Sequence, residues 1–380
     1  MRKTALNSRH RDLGAKMTDF HGWEMPLYYT SILEEHKAVR EAAGLFDVSH
    51  MGQVLVTGPD AEASLNTLVT SDISKVGEGR ACYTLLLNEQ GGIIDDLIVF
   101  RTGSEHFLVI INCGGRETDV AWIKARVQGR TTVTDISDGR AILAVQGPGA
   151  ARLLERALDA RVMSLGRFGI APIRTMGPDA CIARTGYTGG DGFELFVPDA
   201  HAVRLWDLFL SSAASTGIAP VGLGARDTLR VEAGLRLYGT DMDAATTPWE
   251  AGLGWTVAMG KAAAFTGRSA LLRQQQAGVP RVFVGFELAH GPVPRGGCEL
   301  FAADGAPIGK VMSGTFSPML NRPLGMGYVD PAHAAPGTAV SVTVRSQRYP
   351  GTIMKLPFWK PPVAPLSVEA VRAATLEKLP

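Results

Sequence analysis

The sequence predicts an α+β protein of more than one domain, with antiparallel sheet in its first part and a separate β-rich domain at its C-terminal end. Three observations carry this expectation. Three segments repeat one order of events: an apolar strand-like run, a proline-bearing turn, then an amphipathic helix. Between the first two lies a stretch that reads as a meander. After about residue 275 the texture changes to short strand-like runs separated by glycine and proline. The 380 residues are enough for two or three domains with cores of their own.

The three segments are VLVTGPDAEASLNTLV from Val54, ILAVQGPGAARLLERAL from Ile142 and ELFVPDAHAVRLWDLFL from Glu194. Pro59, Pro148 and Pro198 are placed in the first helical turn, where a missing N–H costs nothing. Leu65/Leu68, Leu153/Leu154/Leu158 and Leu205/Leu208 supply the helical apolar stripes. The units read either as an internal repeat or as an ordinary succession in an α+β chain. The meander runs from Thr84 to Phe100 and on through Phe107 to Asn112, with turn formers from Asn88 to Gly92. Gln274-Gln275-Gln276-Ala277-Gly278 reads as a linker, and RVFVGFEL, IGKVMSG and AVSVTVRS supply strands of the C-terminal domain.

Composition narrows the function classes. Hydrophobic residues make up 46% and charged residues 20%, which excludes disorder as the main state. Lys and Arg number 38 against 37 Asp and Glu, so no global field draws the chain to nucleic acid or to anionic lipid. The N-terminal residues lack a secretory apolar run, and no stretch of about 20 apolar residues occurs. A cytoplasmic location is the expectation, although a presequence already removed would leave no trace. Cys82, Cys113, Cys181 and Cys298 form no C-x-x-C pair and are read as reduced core thiols.

Chemistry can sit in three places. Asp95-Asp96 puts two carboxylates inside an apolar strand, where side-chain alternation sends Asp95 to the face of Leu97 and Val99 and Asp96 to that of Ile98 and Phe100. A carboxylate there needs a partner or a pocket; an exposed edge position or a turn contact is the structural alternative. RTGYTGGDGFEL, from Arg184 to Leu195, surrounds Tyr187, Asp191 and Glu194 with glycines that let a flat ligand approach, or else forms a hairpin with an exposed acid. VGLGARDTLRVEAGLRLYGTDMD lacks the last glycine of a dinucleotide fingerprint and reads as a helix with Arg226 and Arg230 one turn apart, on a ligand or on a solvated face. His21 and His50 have no second ligand at metal spacing and read as hydrogen-bonded structural histidines. A G-x-S-x-G elbow and a Walker A loop are both missing.

Taken together, DFHGWEMPLYY, GLFDVSHMGQ, YTLLLNEQGGIIDDLIV, LAVQGP, RTGYTGGDGFEL, GLGARDTLRVEAGLRLYGTDMD and SGTFSP resemble the glycine cleavage system T protein, the aminomethyltransferase family, from about Leu6 to Lys360. The resemblance implies a three-domain, cloverleaf-like fold. Residues 1–275 would form a tetrahydrofolate-binding region of two interleaved α+β domains, with an insert near 55–136, and residues 280–375 a C-terminal β-barrel-like domain. It further implies transfer of an aminomethyl carbon from the lipoyl arm of a carrier, the H protein, to tetrahydrofolate, giving methylenetetrahydrofolate, ammonia and the dihydrolipoyl carrier. No metal, nucleic acid or membrane enters.

Carried over by motif, Asp96 is the residue on which catalysis turns, and Glu194 contacts the pterin. Arg226 belongs to the same site; Tyr83, Asn112, Tyr187, Met51 and Trp249 line it, and Lys360 meets the folate glutamate tail. Gly190 replaces a common Glu, Phe100 a common Tyr, NCGG from Asn112 an NAAN-type run, and Lys360 an arginine. Two other functions fit the same pocket: a folate-dependent demethylase of a small N- or S-methyl compound, and a folate-binding protein without transferase activity.

Overall fold

The computed structural model describes residues 1–158 and 164–361. The part of the expected C-terminal domain beyond residue 361 lies outside them. Beside a two-stranded antiparallel ribbon of Lys16–Phe20 and Trp23–Tyr28, three larger sheets organise the described residues. A six-stranded sheet has the order Ile170–Pro172, Cys181–Ala183, Gly192–Pro198, Arg140–Gln146, Ala43–Asp47, Ile218–Pro220, antiparallel except for the last pair. A five-stranded antiparallel sheet has the order Arg80–Leu87, Ile93–Gly103, His106–Ile111, Gly52–Thr57, Thr132–Asp135. The third is a closed six-stranded antiparallel barrel formed by Val282–Leu288, Glu299–Ala302, Pro307–Ser317, Arg322–Val329, Ala339–Val344 and Gln347–Met354.

The five-stranded sheet is spliced between two neighbouring strands of the six-stranded one, since Ala43–Asp47 precedes it in the chain and Arg140–Gln146 follows it. Each proline-punctuated segment is a strand followed by a helix, the helices being Ala61–Leu68, Ala150–Leu158 and Asp199–Ser211. The prolines stand just ahead of these helices rather than in their first turns: Pro198 is the N-cap residue, with φ −57° and ψ 145°. The extended ψ ends the strand, and the ring's fixed φ then suits the turn into the helix.

Burial follows the alternation of the strands. Leu143, Val145, Leu195 and Val197 face Trp206, Phe209 and Leu154 on the helices behind the six-stranded sheet. Behind the five-stranded sheet, Val54, Val56, Leu97 and Val99 pack with Leu65, Leu68 and Ile123. The two sheets meet through Phe100, Phe196, Ala144 and Leu229, with the Phe100 and Phe196 rings edge to face at 5.5 Å. Phe100 is fully buried there. A tyrosine at this position would need a partner for its hydroxyl, whereas phenylalanine needs none.

Helix Leu223–Glu232 locks the barrel to the rest. Buried Arg230 reaches Asp227, Asp241 and Ser313, the last of these on a barrel strand. Glu232 at the helix end takes His36, Arg40 and Ser317. The glutamine run is not a linker but the last turn of helix Arg268–Ala277, which Gly278 ends at φ 85°. Glutamine is a good helix former, and glycine accepts the positive φ that stops the helix. The four cysteines are free and partly buried; Cys82, Cys181 and Cys298 pack against the hydrophobic cores, as the sequence suggests, and Cys113 does not join one.

Candidate active site

The meander puts Asp95 and Asp96 on opposite faces of strand Ile93–Gly103, opposite Leu86 and Leu85 of its neighbour. Asp95 is fully buried on the face that carries helix Arg116–Arg126, and Asp96 is half-buried on the wall of a cavity of about 450 Å³. The turn that aims them is tied by Asn88, whose Oδ1 accepts the N–H groups of Gln90 and Gly92 at 3.0 and 2.9 Å. Gly92 is required there, because a Cβ would collide with the Ala244 carbonyl. Asn112, at the end of the next strand, holds both acids: its side-chain amide donates to Asp96 Oδ1 and to Asp95 Oδ1, each at 2.8 Å, and its N–H donates to Asp95 Oδ2 at 3.1 Å.

The electrostatics of Asp96 follow from this placement. Burial raises its pKa, the adjacent Asp95 charge raises it further, and the Tyr83 hydroxyl and the Asn112 amide oppose the rise; the result is about 7. A carboxyl of this kind changes protonation near neutral pH, where an exposed aspartate stays ionised.

Across the cavity, the glycine-rich turn is built around Arg184, which grips Asp191 with two bonds of 2.8 and 2.7 Å. Gly186 and Gly192 both pack on the Gln146 amide, leaving no room for side chains. Strand Gly192–Pro198 then presents Glu194 to the cavity with one oxygen accepting from the Thr185 hydroxyl. Burial raises the Glu194 pKa; Thr185 and the positive charge of Arg226 hold it down in part. Arg226, one turn before Arg230, projects into the same space with its guanidinium 4.8 Å from the centre of the Tyr187 ring. Its guanidinium has no hydrogen-bond or ion-pair partner among the described residues. The Tyr187 hydroxyl donates to the Arg236 carbonyl, which fixes the ring.

Seven of the expected residues therefore stand on one wall system: Asp96, Glu194, Arg226, Asn112, Tyr83, Tyr187 and Met51. Two do not. Trp249 is packed beneath Gly254 with its indole N–H donated to the Leu271 carbonyl at 3.1 Å, and it is replaced on the wall by Trp255, which lies 5.7 Å from Tyr83 in a stacked arrangement. Two tryptophans in one loop-rich segment carry no periodicity that would tell them apart. Lys360 is exposed and outside the wall; its neighbour Trp359 lies under Arg40 and close to Gly190 at the rim.

Further residues on the wall were not singled out for it, among them His21, His50 and Arg236. His50 is buried, its Nδ1 lacks a hydrogen-bond partner, and burial with Arg226 nearby drives its pKa down to about 3. It is not the hydrogen-bonded structural histidine that its sequence context suggests. Among the described residues, no group of His, Cys, Asp and Glu could hold a metal ion, and no helix is long and apolar enough to cross a membrane.

An α+β frame of three sheets around a cavity, with a neutral-range carboxyl on one side and a carboxylate and an unpaired guanidinium on the other, has the form of an enzyme site. The matching family models are the GCVT N-terminal domain over residues 6–261 and the glycine cleavage T-protein C-terminal barrel domain over residues 281–360. The chain belongs to the glycine cleavage T-protein family. It is 44% identical to an aminomethyltransferase of Halothermothrix orenii over 94% of this chain and 100% of that one. With an aminomethyltransferase of Streptomyces coelicolor the identity is 47%, covering 95% and 98%. A crystal structure of the glycine cleavage system aminomethyltransferase T from Bartonella henselae superposes with a TM-score of 0.89 at 37% identity, covering 95% of this chain and 98% of that one.

Proposed function

We propose that this protein is the aminomethyltransferase of a glycine cleavage system, moving the aminomethyl carbon of a lipoylated carrier protein to tetrahydrofolate with release of ammonia. The observation that carries the reading is the convergence of Asp96, Glu194 and Arg226 on one cavity in a chain similar over nearly its whole length to aminomethyltransferases. The donor set fits a reduced pterin. Glu194 offers a carboxylate oxygen to adjacent ring N–H and amino donors. The Arg226 guanidinium, lacking a protein partner, offers donors to ring acceptors. Tyr83, Tyr187 and Trp255 supply aromatic surface and Met51 and Ile98 an apolar floor. When bound, tetrahydrofolate would supply the nucleophilic ring nitrogen.

The residues of the chain do the rest by position and charge. Glu194 and Arg226 fix the ring's polar edge, so the ring's other end meets Asp96. In its ionised form Asp96 stabilises positive charge on the transferred carbon; in its protonated form it gives departing ammonia the proton it needs. A pKa of about 7 makes both forms accessible in neutral solution. Lys360, beside the rim rather than inside it, would meet the glutamate tail as a point charge and not as a bidentate fork.

The test is reconstitution of the purified chain with aminomethyl-lipoylated carrier and tetrahydrofolate. Ammonia and methylenetetrahydrofolate should form together, and only with every component present. Carbon transfer from a small methylated amine at a rate independent of carrier would establish the demethylase reaction instead, and folate binding without any transfer would establish a binding protein.

A further inference from the structure

Helix Arg116–Arg126 brings a third carboxyl to the underside of the catalytic strand. Asp119 is 1% exposed, and neither of its oxygens has a hydrogen-bond donor among the described side chains and backbone groups. The group it faces is another acid, Asp95, which is fully buried and already accepts from the Asn112 N–H and amide. Among the described residues no lysine or arginine forms an ion pair with either. Two carboxyls in contact, out of water and without a cation, hold one proton between them, because a second charge at that distance is too costly.

The direction of sharing is set by the other contacts. Burial raises the pKa of both acids, but Asp95 has two donors from Asn112 that favour its ionised form whereas Asp119 has none, which assigns the proton to Asp119 with Asp95 accepting it. Burial and the charges of Asp95 and Asp96 push the Asp119 pKa up to about 10. Gly115 permits the arrangement, since a Cβ there would stand 2.6 Å from Asp119 Oδ2. Asn112 then spans the pair and the active carboxyl, donating to Asp95 and Asp96 with the same amide nitrogen.

We propose that Asp119 is a positioning residue: as the neutral half of a buried carboxyl pair it keeps Asp95 ionised, and that fixed charge, joined through Asn112 to Asp96, holds Asp96 oriented and poised between its acid and base forms. This rests on the reading that Asp96 is the reacting carboxyl. The charged or titratable groups that share the cavity wall with Asp96 include Tyr83 on strand Arg80–Leu87, Tyr187 in the glycine-rich turn, Glu194 on strand Gly192–Pro198, Arg226 on helix Leu223–Glu232, Arg236 and Tyr238 in the loop after it, and the two histidines His21 and His50. Burial keeps all three tyrosines protonated in the neutral range. Asp95 is therefore the fixed negative charge nearest to Asp96.

The experiment is a titration of 13C-labelled aspartate carboxyls in the full-length protein, with Asp96 and Asp119 signals assigned from Asp96→Asn and Asp119→Asn. In the unaltered protein one carboxyl of the pair should stay protonated through neutral pH while Asp96 titrates near 7. In Asp119→Ala, Asp95 loses its donor and takes up the proton, so the Asp96 midpoint should fall by about one pH unit or more. Asp119→Asn keeps an N–H donor toward Asp95 and should restore the midpoint, which a merely structural role would not separate from Ala. The acid limb of the pH–rate profile should move with the Asp96 midpoint.

An Asp96 midpoint equal in all three proteins overturns the proposal, as does a pair fully ionised at neutral pH in the unaltered protein. If the Ala variant does not fold, the unaltered protein and Asp119→Asn decide: a shifted Asp96 in the latter overturns it. The titration needs no turnover, so the carboxyl pair stands or falls by it, whereas missing carrier-dependent turnover in the unaltered protein counts against the proposed reaction alone.

Discussion

Glu194→Gln is the sharpest probe of ligand orientation. The substitution preserves size and leaves Thr185 a carbonyl oxygen to donate to, so the fold is retained. What is lost is the charge that faces the ligand donors, and an amide NH₂ can now point at them. Hydrogen bonds to a charged group contribute about 1.5–3 kcal/mol, against about 1 for a neutral pair. Because Glu194 faces a concave cavity where such bonds are stronger than in bulk water, the upper half of that range applies, and tetrahydrofolate affinity should fall roughly ten- to hundredfold. Isothermal titration calorimetry reads this directly. The pH dependence gives an independent check: burial raises the Glu194 pKa, so affinity of the unaltered protein falls as acid protonates the carboxylate, and the variant lacks that slope. An affinity within twofold of the unaltered protein, with the same pH slope, would refute the pterin contact.

Asp96→Asn should lower kcat by roughly 10²- to 10⁴-fold with unfolding by urea unchanged to within about 1 kcal/mol; near-normal single-turnover rates would remove Asp96 from the mechanism. Arg226→Gln and Arg230→Gln should separate cleanly despite lying one turn apart. The first weakens folate binding with little effect on stability, and the second leaves Asp241 buried without its ion-pair partner at a cost of about 3–5 kcal/mol in denaturant melts. Trp255→Ala, at a position 72% exposed, should leave stability within about 1 kcal/mol and reduce folate affinity roughly two- to tenfold through lost stacking. Its fluorescence in the unaltered protein should be quenched on binding.

Side-chain alternation made the division of labour between Asp95 and Asp96 legible, because in a strand adjacent residues must part to opposite faces. The three strand–helix units and the C-terminal β domain were legible for the same reason: each has a period or a punctuation that a short window shows. Resemblance, not spacing, selected Glu194 and Arg226 from several polar residues in their motifs. Asp119 carries no local signal, since a carboxylate in the first turn of a helix is ordinary, and its meaning comes only from the strand packed beneath it. Trp255 and His50 were hidden likewise, because which aromatic or imidazole meets a cavity depends on how three lobes close. The glutamine run has the polar composition of a linker, but glutamine's helix propensity makes it the end of helix Arg268–Ala277.

Strand Ala43–Asp47, wholly buried, is flanked by Arg140–Gln146 on one side and Ile218–Pro220 on the other. During synthesis from the N-terminus, this segment leaves the ribosome long before either neighbour exists. The intervening meander unit can mature first, while the apolar ribbon waits with both hydrogen-bonding edges bare. Nascent chains stopped before Ile218 should accordingly need a holding chaperone, and truncated fragments ending there should aggregate rather than form a soluble half-molecule.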